Sequence, residues 1–98
     1  MNAPGDVNKK NIISIDLTHF DSSCITVMGG LFKNLNSLKY VDLKNLDTSK
    51  VTDMNSMFYL CTALETIEIS YLNTSSVKNM NSMFYGCISL KTMGISNI

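Results

Sequence analysis

The sequence has no arginine and no tryptophan, and only one proline and one histidine. Its eight basic residues are all lysine and are balanced by eight acidic ones, so the formal net charge is zero. Nucleic-acid-binding domains gather Lys and Arg on one face, and no such cluster is present, so no nucleic-acid partner is expected. Three cysteines without a CxxC spacing are too few and too scattered for a zinc site or a disulfide framework. No metal or other cofactor is expected. No apolar run is long enough to cross a bilayer. Residues 1–6, MNAPGD, contain neither a basic nor an apolar region, so no secretory signal is expected within this stretch. Nor is there an acid/base pair, an activated nucleophile or a phosphate-binding loop, so no enzyme activity is expected.

What the chain does have is repetition. Residues 38–63 read LKYVDLKNLDTSKVTDMNSMFYLCTA and residues 64–89 read LETIEISYLNTSSVKNMNSMFYGCIS. Laid over each other without a gap they share 12 identities in 26 positions, among them Thr48/Thr74, Ser49/Ser75, Met54/Met80, Phe58/Phe84, Tyr59/Tyr85 and Cys61/Cys87. A fixed period of this length is the signature of a repeat array. An earlier copy keeps only the apolar positions: Ile12, Ile15, Leu17, Phe20, Ile25, Met28, Leu31, Phe32 and Leu35 each stand 26 residues before an apolar residue of the next. The copies span 12–37, 38–63 and 64–89, with a partial copy at 90–98. Residues 1–11 form a polar leader with a Pro4-Gly5 turn pair.

Within a copy the periodicity changes. Val41 and Leu43 alternate with Tyr40, Asp42 and Lys44, the pattern of a short half-buried strand. Val51, Met54, Met57, Phe58 and Cys61 are spaced 3, 3, 1 and 3, which predicts a helix of about two turns, with Thr52 or Asp53 as N-cap. Asp47-Thr48-Ser49 between them is a turn. One such unit cannot bury its apolar face alone, so the copies must stack. The expected fold is an α/β repeat, a right-handed leucine-rich-repeat-like solenoid. Parallel strands would line its concave face and short helices its convex face, and the greater width of the helices would bend the stack.

The run LxxVxLxxLDTSxVxxMxxMFxxC, met at 38–61 and again at 64–87 with Ile67, Ile69 and Asn73 for its Val, Leu and Asp, resembles the BspA-like leucine-rich-repeat family. The resemblance covers residues 12–98. It implies a surface or extracellular interaction protein, of the kind found in mycoplasma lipoproteins and bacterial cell-wall proteins, that binds a protein or glycan partner and has no known enzyme activity.

The expected partner-binding face holds Asp16, Tyr40, Asp42, Lys44, Thr66 and Glu68. Its outward residues fall into three columns: Ser14, Tyr40, Thr66 and Thr92; Asp16, Asp42, Glu68 and Gly94; Thr18, Lys44, Ser70 and Ser96. Like charges side by side across strands are unfavourable, so three stacked carboxylates suggest a site for a basic segment or a cation; the alternative is an ordinary solvated face. Met54, Met57, Met80 and Met83 fit a core stripe better than a soft-metal site. Cys61 and Cys87, where the first copy has Leu35, are expected as free buried thiols, and His19 as a surface residue. Asn73-Thr74-Ser75 matches a glycosylation sequon but is also the copy's turn. Asp21, Asp47 and Asn73 form a ladder that lacks the glycine pattern of calcium-binding repeats. Met93, Ile95 and Ile98 would leave an open strand edge, an invitation to self-association. The function expected is therefore an interaction module. The alternative is a structural spacer or assembly subunit that contacts its neighbours through its ends.

Overall fold

The computed structural model describes residues 12–94. The 1–11 leader and residues Ile95, Ser96 and Ile98 lie outside them. Regular secondary structure is sparse: strand β1 at Thr66–Glu68, one turn of 3₁₀ helix at Ile69–Tyr71 and strand β2 at Thr92–Gly94. The two strands form a parallel two-stranded sheet with Thr66 opposite Thr92, Ile67 opposite Met93 and Glu68 opposite Gly94. Single parallel bridges join Tyr40 to Thr66, Val27 to Asp53 and Asp53 to Asn79.

This overturns the expected leucine-rich-repeat-like solenoid. No α-helix exists among the described residues, so there is no helical convex layer, and the strand layer shrinks to two strands of three residues each. The Cα radius of gyration, 13.3 Å, is about that of a compact domain of 100 residues.

The helix fails for a reason visible in the backbone. Segment 54–61 is a chain of tight turns: Met57 N–H donates to Met54 O, Tyr59 to Ser56 O and Cys61 to Phe58 O. Bonds from i to i−3 recur at intervals that mimic helical spacing, and hence the 3-3-1-3 pattern of Met54, Met57, Phe58 and Cys61. Ser56 (φ 55°) and Leu60 (φ 58°) are left-handed, a conformation an α-helix cannot contain. Ser82 and Gly86 repeat it in the next copy, Gly30 and Asn34 in the previous one. Each left-handed residue swings the intervening N–H groups outward. Thr52 and Asp53 accordingly cap no helix; the Asp53 carboxylate accepts from the Asn55 backbone N–H (2.9 Å) and side-chain amide (2.7 Å) in a turn.

The released N–H groups bond to the neighbouring copy. Met54, Ser56, Phe58 and Leu60 donate to Asn79, Asn81, Met83 and Tyr85 carbonyls at 2.7–2.9 Å. Met28, Gly30, Phe32 and Asn34 do the same to Asp53, Asn55, Met57 and Tyr59. On the strand side the bonds run the other way, Glu65 to Lys39 O (3.0 Å) and Lys91 to Glu65 O (2.9 Å). Both sides are therefore held at backbone hydrogen-bond spacing, and no wider helical layer exists to bend them.

The core lies between these bonded segments. The middle copy is buried at all nine of its apolar positions, Leu38, Val41, Leu43, Leu46, Val51, Met54, Met57, Phe58 and Cys61. Phe58 is sandwiched between Phe32 (centroids 5.2 Å apart) and Phe84 (5.3 Å). Among the described residues the turn segments of the flanking copies have a neighbouring copy on one side only. Met54 is 0% exposed but Met80 is 38%; Met57 is 0% exposed but Leu31 is 39%. Met80 is thus not the core residue its spacing suggested.

Candidate functional site

The strand-side face is the surface on which the sequence placed a binding site. Tyr40, Thr66 and Thr92 lie side by side across it, Tyr40 bridged to Thr66 and Thr66 in register with Thr92. All three are exposed, Tyr40 to 48%. Asp42 and Lys44 are also exposed, and Leu43 between them is buried, as the alternation requires.

The carboxylate column has a local explanation. Asp16 Oδ1 accepts the Thr18 backbone N–H at 2.9 Å, and Asp42 Oδ1 accepts that of Lys44 at 2.9 Å. Each is an Asx-turn in which the side chain hydrogen-bonds the backbone two residues on. The Asp16 carboxyl is held below the ordinary carboxylate value, first by its Thr18 side-chain hydrogen bond and then by the Thr18 N–H. Glu68 behaves differently. It is half-buried, accepts the Ser70 hydroxyl at 2.5 Å, and lies across Gly94, where a Cβ would overlap its carboxylate. The glycine is what leaves room for it. Two of the three carboxylates thus fasten their own turns, and Glu68 is tied to Ser70. Among the described residues no group of three or more His, Cys, Asp or Glu side chains is placed to hold a metal ion. Met93 is half-buried beside Ile67.

The ladder of Asp21, Asp47 and Asn73 fastens turns: each uses Oδ1 to accept the backbone N–H (3.0 Å) and hydroxyl (2.7 Å) of Ser23, Ser49 and Ser75. The residue between them reaches across. Buried Ser22 donates its hydroxyl to Asp47 O (3.0 Å) and accepts Asp47 N–H (2.8 Å). Buried Thr48 does the same with Asn73 O (3.1 Å) and N–H (2.7 Å). The signal was the hydroxyl at position two of Asp-Ser-Ser, Asp-Thr-Ser and Asn-Thr-Ser. The outer Asp and Ser read as a turn, and nothing marked the middle hydroxyl as a link between copies.

His19 is exposed. Cys24, Cys61 and Cys87 are free. Cys61 and Cys87 donate their thiols to Phe32 O (3.0 Å) and Phe58 O (3.1 Å), and burial pushes the Cys61 thiol up to about 11 and raises that of Cys87. A thiol held protonated is a poor nucleophile. A cleft of about 390 Å³ is lined by the consecutive residues Ser70, Tyr71, Leu72, Asn73, Thr74 and Ser75. It is a dent in one loop, and Asn73 Oδ1 within it is already engaged by Ser75. No helix among the described residues is long and apolar enough to cross a membrane.

A family profile described as "Mycoplasma protein of unknown function, DUF285" matches residues 5–97. No curated protein matches the chain, and no solved structure does. Because the match runs over almost the whole sequence, the chain belongs to the DUF285 family.

Proposed function

We propose that this protein is a non-enzymatic interaction module that binds a protein or glycan partner on its strand-side face. The observation that carries this reading is the row of Tyr40, Thr66 and Thr92, exposed and aligned by backbone bridges. Tyrosine supplies a large amphipathic contact area and is enriched at binding hot spots. The row is preorganised, because the turns beside it are fastened by Asp42 and by Glu68 with Ser70, and rigid presentation lowers the entropic cost of association. The resemblance of the repeat to BspA-like surface proteins supports the same reading.

The test is binding of the labelled chain to a glycan array and to intact cells, alongside Tyr40→Ala and Thr66→Lys. Both positions are exposed, so both variants should keep the wild-type unfolding midpoint. A loss of about tenfold or more in affinity, which corresponds to ~1.4 kcal/mol, is expected from either. Undiminished binding by both variants would overturn the proposal.

A further inference from the structure

The strand-side face leaves one motif unused. Asn73-Thr74-Ser75 is the only Asn-x-Ser/Thr run in the sequence, the pattern of an N-glycan acceptor. The same corner of the earlier copies reads Asp21-Ser22-Ser23 and Asp47-Thr48-Ser49. All three corners are closed in one way, with Oδ1 accepting the backbone N–H and the hydroxyl of the serine two residues on. Two copies do this with a carboxylate. The turn therefore needs an acceptor oxygen and makes no use of an amide, so the Asn73 side-chain nitrogen is surplus to the fold.

Its placement is fixed by its neighbours. The Ser75 backbone N–H can only donate, so the atom facing it is Oδ1, and Nδ2 is turned away. Nδ2 makes no hydrogen bond among the described residues, while Oδ1 holds the Ser75 hydroxyl at 2.7 Å. Asn73 is exposed. That exposure does not come from its place in the last full copy. Asp47 has a copy on either side, reached through the Ser22 and Thr48 hydroxyls, and it is exposed as well.

We infer that Asn73 Nδ2 accepts an N-linked glycan from an oligosaccharide carried on a lipid pyrophosphate. In that transfer the bond between sugar C1 and the pyrophosphate oxygen breaks and a bond from C1 to Nδ2 forms. The amide gives up one proton, and the lipid pyrophosphate leaves with the electron pair of the broken bond. Nothing is oxidised or reduced. Oδ1 takes no part, so Ser75 keeps both of its bonds and the corner is the same before and after. The product carries a bulky, solubilising group on an outer corner of the third copy.

The test incubates the folded full chain with membranes that hold an oligosaccharyltransferase and its lipid-linked oligosaccharide, and reads intact mass. The wild type should gain one glycan, removable by peptide N-glycosidase. Asn73→Asp puts the residue of the earlier copies in place, so it should keep the wild-type circular dichroism spectrum and gain none. Asp47→Asn builds the same three residues into the same turn one copy earlier, and should gain two. An unmodified wild type would overturn the inference, as would transfer that persists in Asn73→Asp. A single glycan on Asp47→Asn would show that this corner does not present the acceptor. Phe58→Ala, which empties a fully buried site, supplies the remaining control. Transfer to that variant and not to the wild type would assign the acceptor to the unfolded chain and would also overturn the inference.

Discussion

The rings of Phe58 and Phe84 lie 5.3 Å apart at their centroids, with planes within 3° of parallel. With Phe32 on its other side at 5.2 Å, Phe58 is covered on both faces by its own counterparts, and it is fully buried. Phe58→Ala should therefore cost ~3–5 kcal/mol, the usual range for deleting a buried aromatic ring. Phe84→Ala should cost less, since Phe84 is only partly buried and stacks on one side. Guanidinium unfolding of the two variants checks the order; an equal or larger loss from Phe84→Ala would contradict the asymmetry.

Thr48 is buried, and its hydroxyl both donates to and accepts from the Asn73 backbone. Thr48→Val keeps the shape but leaves an N–H and a carbonyl of Asn73 without that partner, at an expected ~1–3 kcal/mol. Thr48→Ser keeps the hydroxyl, as Ser22 does in the first copy, and should lose only ~0.8 kcal/mol for the missing methyl. Urea midpoints should thus rank wild type, Thr48→Ser and Thr48→Val in falling order.

Acid sensitivity can be located in one ladder. The Asp47 carboxyl is held below its ordinary value by the Ser49 hydroxyl and then by the Ser49 N–H. A carboxyl that is lowered in the fold adds stability that is fully present above the unfolded value of 3.8 and is lost as pH falls through the folded value. Asn73 makes the same two contacts without a charge. Asp47→Asn should therefore match wild type in thermal midpoint at neutral pH and fall less steeply on going to about pH 3. An unchanged acid slope would place the sensitivity elsewhere.

Alkaline conditions act through Cys61 with the opposite sign. Burial raises its thiol from 9.0 to about 11. The stability that comes with keeping it protonated is complete below pH 9 and is lost as pH climbs through about 11. Cys61→Ala should flatten the decline of stability across that window. Under native conditions near neutral pH, Cys24, which is exposed, should alkylate first, and Cys61 only once the chain is unfolded. Mass spectrometry of partly labelled protein reads this order directly.

The apolar pattern of the middle copy was legible because it states which side chains are inside, and all nine are buried. Strand-side alternation was legible for the same reason, at Asp42, Leu43 and Lys44. The helix was not, because spacing of 3 and 4 is shared by an α-helix and by consecutive tight turns. What separates the two is backbone handedness, and its only trace is where the copies differ. Gly30 stands at the position of Ser56 and Ser82, and Asn34 and Gly86 at the position of Leu60. Glycine and asparagine tolerate the left-handed region, so their alternation with Ser and Leu at two fixed positions was the available sign. The candidate face was legible as exposed residues; the sequence did not show that Asp16 and Asp42 each accept the backbone N–H two residues ahead.

Because alternate amides bond within a turn and the rest bond to the next copy, the chain has no tolerance for a shift of phase. A one-residue insertion between Thr48 and Cys61 would exchange inward and outward amides and face Phe58 with the wrong neighbour. Duplicating 38–63 whole would reproduce each bond type it already makes on both sides. A complete copy can thus be added without breaking the bond pattern, whereas a point insertion within one breaks it.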